Sequence, residues 1–372
     1  MTSNNDYNLL SKDVMTEILS RLPLKSLFRF RCVCNDWYTL IKASYFIAKN
    51  QQKNNIRLLV HHYDYKILRY CVGIFPDETL GKTSPVYFNL DELGIQNYPD
   101  CLIGPINGIY CVYGRYEDHM CLWNPATNEF RHIPLPRPDL PSYIADFNNI
   151  FGFGLDVMTN HYKVIWIRQF WDDDIDCPYD PETISVYNLC TNSWRLFDYY
   201  FDTMRSIRNS SGNDTYINGV YYWLTDSSYN DFRILAFDLN NENFRELPAP
   251  SDIPKTQFGE LASYSDSIAI IIYHPTEIEN YIDIWVMKGE GFWTKIITTG
   301  LILDILAPLG FWNDDHLFIR TRSAHLILYN INTLESRDLG NYGGDSALLV
   351  HKFRESLFSL KEGDNSFSMG QP

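Results

Sequence analysis

Residues 9–48 read LLSKDVMTEILSRLPLKSLFRFRCVCNDWYTLIKASYFIA and predict short amphipathic helices at the start of a chain of 372 residues. Val14, Ile18 and Leu22 follow each other at a spacing of four residues, so they share one face of a first helix. Pro23 ends that helix, because proline lacks a backbone N–H and clashes with the preceding turn. The chain therefore begins with a helical unit.

Two further apolar runs predict a second and a third helix. The second run carries Leu24, Leu27, Phe28 and Phe30, and the third, capped by Asn35 or Asp36, carries Trp37, Leu40 and Ile41. Units below roughly 40 residues usually need a metal, a disulfide or a partner, because they cannot bury enough apolar surface by themselves. We therefore expect part of the apolar surface to dock on something else.

This stretch resembles the F-box, the module that ties a protein to the Skp-family adaptor of a cullin ubiquitin ligase. The resemblance is carried by Asp13-Val14, Glu17-Ile18-Leu19, the run from Arg21 to Leu27, the run from Arg29 to Cys34, and Trp37. One departure is visible: the family usually opens with Leu-Pro, and here Ser11 stands in the second position, where it can cap the helix instead. The resemblance implies that eight residues contact the adaptor: Leu10, Val14, Ile18, Leu22, Pro23, Leu27, Val33 and Trp37.

The composition favours an intracellular protein that does not interact with membranes. The eight cysteines form no CxxC pair, which predicts reduced core residues. The opening residues MTSNNDYN lack the basic and then apolar order of a signal peptide, and no apolar run approaches the 18 or so residues that cross a bilayer. We therefore expect the protein in the cytoplasm or the nucleus.

Charge is unevenly divided along the chain. Residues 1–50 hold seven Lys and Arg against four Asp and Glu, whereas residues 51–372 hold 24 against 42, a net charge of −18. This balance argues against nucleic acid as a partner, because nucleic acid requires a basic surface. It suits a basic protein partner. Solubility alone is the alternative explanation.

A ten-residue unit recurs five times from residue 122 onward. The copies are LWNPATNEFR (122–131), VYNLCTNSWR (186–195), AFDLNNENFR (236–245), IWVMKGEGFW (284–293) and LYNINTLESR (328–337). An aromatic residue stands second in every copy, Asn or Asp follows it in four copies, and Arg closes four copies. The unit predicts a β-hairpin, since Asn, Asp and Gly accept the backbone angles of tight turns.

The spacing of these hairpins predicts a propeller. Successive leading aromatics are 64, 50, 48 and 44 residues apart, and further strand candidates lie between them at 104–114, 161–167, 218–224, 267–273 and 316–321. Strand-rich repeats of about 40 to 50 residues are typical of propeller blades. SALLV (346–350) and ESLFSL (355–360) are predicted to be the strands that complete the ring.

The predicted fold is a small all-α F-box of three helices followed by an all-β propeller-like domain of about six blades. We place the F-box at 9–50, a connecting segment with the first strands at 51–100, the propeller-like domain at 101–362 and a disordered tail at 363–372.

The second part of the chain resembles the F-box-associated domain of plant proteins. The resemblance is carried by LWNPAT (122–127), GFGLDVMTNHYKVIWI (152–167), NGVYYWL (218–224), ILAFDL (234–239) and IDIWVMK (282–288). With the F-box it spans nearly the whole chain and is closest to the S-locus F-box proteins of pollen. It implies recognition of S-locus ribonucleases for ubiquitination in self-incompatibility. The alternative is a plant F-box protein of another pathway, such as development, hormone or stress signalling, because such proteins share the same motifs.

An acidic and aromatic stretch, WDDDIDCPYDPE at 171–182, lies in the longest gap between hairpins. Insertions in a propeller form loops on one face, where binding usually occurs. Aromatic anchors with a negative rim suit a basic protein, so we predict target contacts by Phe170, Trp171, Asp172, Asp173, Asp174, Asp176, Tyr179 and Asp180. A solvated loop is the alternative. A calcium loop is disfavoured, because the central glycine and the bidentate Glu are missing.

The sequence contains no catalytic motif such as GxSxG, GxGxxG after a strand or HExxH. The adjacent His61 and His62 point to opposite faces of a strand, which disfavours a shared metal, and no cofactor is predicted. We interpret the chain as the non-catalytic recognition subunit of a Skp-cullin-F-box ligase, which brings a target close to the transferred ubiquitin. Two alternatives belong to other classes: a propeller glycosidase with paired carboxylates, and an adaptor-bound scaffold that causes no degradation.

Overall fold

The computed structural model of the chain describes residues 11–53, 56–64, 69–76, 86–89, 99–114, 119–136, 146–172, 175–197, 205–207, 214–227, 232–251, 258–274, 280–300, 304–342 and 348–361. These residues form a helical module, followed by six β-sheets arranged in a ring. The tail predicted at 363–372 lies outside the described residues.

Four helices form the module, one more than the three that the sequence predicted. They are α1 (Lys12–Leu19), α2 (Leu24–Phe30), α3 (Asn35–Lys42) and α4 (Ser44–Lys53). Ser11 caps α1 as predicted, accepting a hydrogen bond from the Val14 N–H at 3.3 Å. The N-cap of α3 is Cys34, so neither Asn35 nor Asp36 takes that position. None of the described helices is long and apolar enough to cross a bilayer.

The module has a closed apolar core to which a distant residue contributes. Its fully enclosed members are Leu19, Leu24, Leu27, Leu40, Ile41, Phe46 and Leu357. Leu357 follows the last strand of the chain, so the module buries its surplus apolar surface partly against its own polypeptide. Burying each large apolar side chain contributes roughly 1.5 to 3 kcal/mol.

Six antiparallel sheets form the blades, and the strands of each blade follow one another from the centre of the ring outward. The first blade contains β25 (Leu349–Phe353), β1 (Arg57–Asp64), β2 (Arg69–Phe75) and β3 (Val86–Asn89). The second contains β4 (Pro99–Ile106), β5 (Ile109–Gly114), β6 (His119–Asn124) and β7 (Glu129–Ile133). The third contains β8 (Asp146–Asp156), β9 (His161–Asp172), β10 (Ile175–Asn188) and β11 (Ser193–Phe197).

The other three blades follow the same order. In the fourth, β12 (Arg205–Ile207) and β13 (Asp214–Ile217) both pair with β14 (Val220–Ser227), which is followed by β15 (Arg233–Asp238) and β16 (Asn243–Pro248). The fifth contains β17 (Phe258–Tyr264), β18 (Ser267–His274), β19 (Tyr281–Gly289) and β20 (Phe292–Thr298). The sixth contains β21 (Ile305–Asn313), β22 (His316–Thr321), β23 (His325–Asn330) and β24 (Ser336–Asn341).

The ring is closed by one strand from the far end of the chain. The inner strands β25, β4, β8, β13, β17 and β21 contact one another in that order and back to β25. β25 pairs antiparallel with β1, with a register that runs from Arg57 opposite Phe353 to His61 opposite Leu349. The prediction of six blades is thereby confirmed. The SALLV stretch contributes the start of β25, whereas ESLFSL forms no strand, so that second prediction was wrong.

All five predicted hairpins are confirmed as the third and fourth strands of a blade. In the four copies that have Asn or Asp after the aromatic, this residue begins the turn by accepting a backbone N–H two residues on, as in Asn124 from Ala126 at 3.0 Å and Asp238 from Asn240 at 2.8 Å. The fourth residue of the turn takes a positive φ, which Asn adopts at low cost at Asn128. The polar turn residues are therefore needed by the backbone.

The arginines that close the first two repeats link neighbouring blades. The Arg131 guanidinium donates to Asn192 Oδ1 in the turn of the next blade at 3.2 Å, and Arg195 in turn reaches Glu242 of the blade after that. Glu242 also accepts from the buried Lys163 at 2.8 Å. Sequence reasoning assigned the arginines only to the hairpin, and these contacts between blades were missed.

The two faces of the ring differ in what they carry. In the second to sixth blades, the turn between the first and second strands and the turn between the third and fourth lie at the same end of the sheet, as 107–108 and 125–128 do in the second blade. We call this end the module face, because the helical module sits there. The second strand ends and the third strand begins at the opposite end of the sheet, which we call the far face.

Residues 354–361 run from β25 across the module face, and we call this segment the strap. Its Leu357 side chain belongs to the core of the module, and its Leu360 side chain belongs to the largest core of the ring. The strap thus lies between the two parts of the chain and is buried against both.

Buried aromatic residues surround the closing strand. The Tyr110 ring centroid lies 6.0 Å from that of Phe353, 6.0 Å from that of Trp123 and 5.8 Å from that of His351. The Nδ1–H of His351 donates to the carbonyl of Gly104 in the neighbouring blade. Burial lowers the pKa of His351 to about 4, and the hydrogen bond only partly opposes this shift. The closing strand therefore carries a neutral histidine.

We predict that removing the strap and removing the closing strand have separable effects. A chain ending at residue 354 keeps β25, so its ring amides should retain their protection in hydrogen exchange. Its module amides should exchange at least 10-fold faster, because losing a buried leucine costs about 2 to 5 kcal/mol. A chain ending at residue 345 also loses β25, so its ring should lose protection as well. Module amides that stay protected in the first truncation would contradict the shared core.

We also predict that His351 makes the protein less stable in mild acid. Its folded pKa lies below its unfolded value of 6.5, so its contribution is complete above that value and is lost as pH falls toward 4. At pH 5 the loss should be about 1 to 2 kcal/mol relative to pH 7.5. His351→Asn keeps a donor for Gly104 and does not titrate. Chemical denaturation at both pH values should show a smaller loss for this variant, and equal losses would disprove the assignment.

Candidate interaction surfaces

Three apolar side chains of the module face solvent although its core is complete without them. Val14 is 45% exposed, Ile18 48% and Val33 60%. Val14 and Ile18 lie one turn apart on α1, whereas Leu19 of the same helix is buried. Exposed apolar clusters on small modules are typical of protein docking sites. All three residues belong to the predicted adaptor contacts.

The other predicted contacts lie in different surroundings. Pro23 is exposed and precedes α2, while Leu22 and Trp37 are half-buried and pack against the module core. The Trp37 ring centroid lies 5.1 Å from that of Phe30. Leu10 lies outside the described residues.

Leu27 does not lie on the exposed face of the module, and its contact with the adaptor stays a prediction. Its side chain is 0% exposed within the module core, and Leu24 of the same helix is 5% exposed. These two residues are three positions apart and therefore point to the same side of α2. Both sides of the module are apolar, and the spacing alone did not show which side the strap covers.

Two exposed tyrosines of the module were not singled out from the sequence. Tyr38 is 41% exposed on α3, Tyr45 is 49% exposed on α4, and the Lys42 ammonium donates to the Tyr38 hydroxyl at 2.9 Å. The available signal was the pairing of an aromatic and a lysine four residues apart. The extended backbone of Ala43 separates the two helices, so no single helical pattern in the sequence connects the two tyrosines.

The second predicted surface is a long β-hairpin, where the sequence predicted a loop. β9 has 12 residues and β10 has 14, and Phe170 lies opposite Tyr179, Trp171 opposite Pro178 and Asp172 opposite Ile175. Register shifts interrupt the pairing. Asp176 and Asp180 lie in β10, whereas Asp173 and Asp174 lie outside the described residues. Aromatic and β-branched residues favour strands and outweigh the weak strand tendency of Asp here.

The topology of the third blade places this hairpin on the far face. The strands β8 and β9 are joined at 157–160, at the same end as the other turns of the module face. β9 then runs away from that end, so the pair of Asp172 and Ile175 lies at the opposite end. The predicted adaptor surface and the predicted target surface therefore lie on opposite sides of the ring.

A buried cluster of titratable groups lies in the fifth blade. His274 Nε2 and Lys295 Nζ lie 3.0 and 2.9 Å from Asp283 Oδ2, and the Thr298 hydroxyl donates to the other oxygen. Burial opposes ionisation of Asp283, but the hydrogen bonds from Thr298 and Lys295 outweigh it and lower its pKa. Burial lowers the pKa of His274. The cluster ties β18, β19 and β20 together.

The described residues contain no three His, Cys, Asp or Glu side chains placed to hold a metal ion. His61 stacks on Tyr70 with ring centroids 5.4 Å apart, and His62 meets the edge of Tyr342 at 5.2 Å. The two histidines thus pack against different rings. Of the cysteines whose side chains the structure describes, Cys71, Cys111 and Cys121 are buried and Cys32, Cys34 and Cys190 are exposed, and none of these six forms a disulfide bond. The prediction of reduced cysteines fits these residues, but half of them lie outside the core.

Comparison with protein families gives two matches, one to the helical module and one to the greater part of the ring. A model described as the F-box domain matches residues 8–49. A model described as the F-box associated beta propeller domain matches residues 93–354.

Comparison with individual proteins agrees with this division. An F-box/kelch-repeat protein of Arabidopsis thaliana is 28% identical over 335 residues, covering 86% of this chain and 87% of its own length. An F-box protein of the same plant is 26% identical over 299 residues, covering 80% and 73%. Among solved structures, an oligogalacturonate lyase from Vibrio parahaemolyticus aligns with a TM-score of 0.45 at 9% identity, covering 76% of this chain and 79% of the lyase.

Proposed function

The chain belongs to the family of plant F-box proteins that carry an F-box associated β-propeller domain, and from this we propose that it is the target-recognition subunit of a Skp-cullin-F-box ubiquitin ligase. The F-box implies binding to a Skp-family adaptor and, through it, to cullin and RING subunits. The observation that carries the proposal is the exposure of Val14, Ile18 and Val33 beside a core that does not need them.

In this role the chain positions the target and supplies no group that makes or breaks a bond. The module would dock the adaptor, and the ring would hold a target on its far face. Holding both in one complex raises the effective concentration of target lysines near the ubiquitin-loaded enzyme. The function is non-catalytic, as is typical of F-box proteins.

We propose a basic protein as the target. The support is the net charge of −18 over residues 51–372 and the acidic hairpin on the far face. The finer proposal is an S-locus ribonuclease recognised in pollen self-incompatibility, and its support is the motif resemblance of the propeller. A target in another plant pathway is the competing assignment. The proposed location is the cytoplasm or the nucleus, where free cysteines persist.

We predict that Val14→Asp combined with Ile18→Asp weakens adaptor binding without unfolding the module. Each buried apolar side chain contributes roughly 1.5 to 3 kcal/mol, so Kd for a purified Skp-family adaptor should rise at least about 100-fold in calorimetry. Leu196→Asp is the matched control, because Leu196 is 71% exposed on the ring. Parent-like affinity of the double variant would refute the adaptor role.

We predict that neutralising the acidic hairpin slows target association. The variant Asp172→Asn, Asp173→Asn, Asp174→Asn should reduce the association rate several-fold at low salt and little at high salt, since the attraction acts over a Debye length of about 10 Å. In contrast, Trp171→Ala should mainly speed dissociation, because aromatic anchors carry affinity. The measurement is binding kinetics with an S-locus ribonuclease, beside an unrelated ribonuclease of equal net charge.

The control for this experiment changes the same charge on the other side of the ring. Asp266, Asp314 and Asp315 are exposed in turns of the module face, so their replacement by Asn should leave association unchanged. Equal slowing by both triple variants would show that net charge acts without a specific surface. Equal binding of both ribonucleases would exclude the S-locus assignment, and binding of neither would exclude a target of this class.

A further inference from the structure

The strap is buried in the module and in the ring at the same time. We propose that it couples the two parts into one rigid body, with Asn124 as the positioning residue, and so fixes the direction of the far face relative to the adaptor surface. Its value for ubiquitin transfer rests on the function proposed above, whereas the coupling itself is a property of the chain alone.

On the module side, the strap supplies a core residue and a hydrogen-bond acceptor. The Leu357 side chain is 0% exposed among Leu19, Leu27 and Phe46. Its carbonyl accepts from the Arg31 guanidinium at 2.6 Å, which is a charge-assisted hydrogen bond. Both contacts would have to break before the module could turn away from the strap.

On the ring side, the strap is held by contacts to three blades. The Phe358 ring meets the edge of Tyr162 in the third blade with centroids 5.1 Å apart. The N–H of Leu360 donates to Glu129 of the second blade at 3.0 Å, and its side chain is 1% exposed. Glu355 forms an ion pair with Arg57 of the first blade at 3.3 Å. A segment held at several points on one rigid surface cannot tilt as a hinge would.

Asn124 holds the middle of the strap. Its Nδ2 donates to the carbonyls of Ser356 at 3.1 Å and Phe358 at 2.7 Å, which lie on either side of Leu357. Its Oδ1 accepts from the Ala126 N–H, and the Asn124 side chain is 0% exposed. The same amide thus begins the hairpin turn and aims Leu357 into the module. Ala126 itself packs against the module core.

The strap also lies too close to the ring for a change of path. A Cβ placed on Gly108 would come within 2.4 Å of the Arg354 carbonyl and 2.9 Å of the Ser356 Cβ. Gly108 has a φ of +80°, so the turn itself already favours glycine. The first residues of the strap therefore lie directly against the backbone at Gly108, where there is no side chain that could move aside.

The equivalent turns of two other blades show which substitution of Asn124 should preserve the hairpin and which residue can serve as a control. Asn188 and Asp238 occupy the same turn position in the next two blades and accept the equivalent N–H at 2.8 Å each. Asp238 shows that a carboxylate serves this turn. Asn124→Asp should therefore keep the hairpin, remove both donors to the strap and set a carboxylate against two carbonyl oxygens. Asn188→Asp makes the same change where no strap is bound.

The experiment is single-molecule energy transfer on the full chain. Donor and acceptor dyes are attached at Ala48→Cys on α4 and Lys288→Cys on β19, after replacing the three exposed cysteines Cys32, Cys34 and Cys190 by Ser. The parent and Asn188→Asp should give one narrow distribution. In Asn124→Asp the distribution should become at least twice as wide.

A second variant shows whether the result for Asn124→Asp comes from misfolding of that variant. Arg31→Met keeps most of the side-chain stem and removes the donor to Leu357, so it should widen the distribution in the same way. Unchanged widths in both variants would overturn the proposal, and so would a parent distribution as wide as that of Asn124→Asp. Adaptor affinity is measured on the same samples. If the parent does not bind the adaptor, the proposed function is refuted, whereas the conclusion about coupling is unaffected.

Discussion

The pairing of β25 with β1 is the constraint on which the rest of the structure depends. Without β25 the inner edge of the first blade, along β1, would be unpaired, and unpaired strand edges template aggregation. The pairing joins the two ends of the ring through backbone hydrogen bonds from Arg57 to His61. Closing so long a segment of chain costs little more entropy than closing a short one, because the cost grows only with the logarithm of length. Aromatic burial around Phe353 adds to the gain.

Contacts between blades explain features of the repeat that a hairpin alone does not require. A turn needs Asn or Asp at its start, but it does not need Arg at its end. Arg131 and Arg195 each reach the turn of the following blade. The fifth-blade copy ends in Trp293, whose Nε1 donates to the Pro248 carbonyl of the preceding blade at 2.8 Å. In these three copies, the last residue of the repeat, whether Arg or Trp, therefore contacts a neighbouring blade.

Local patterns were readable from the sequence, and non-local packing was not. The hairpins and the strand candidates between them follow from alternating apolar residues and turn residues, which act within ten residues of each other. Leu27 is buried in one core with Leu357, which no local pattern connects to the helices. The acidic stretch after Trp171 was predicted to be a loop because it lies in the longest gap between hairpins, but pairing of β9 with β10 extends the strands into it.

Because Leu357 is translated long after the helices, the core of the helical module can be completed only late in synthesis. The helices leave the ribosome first, yet their core lacks one member until the strap has been made. The strap is translated directly after β25, and it reaches the module face only when that strand has taken its place beside β1. An unfinished chain therefore has a helical module with an incomplete core. The helices reach their final packing only after the ring has closed.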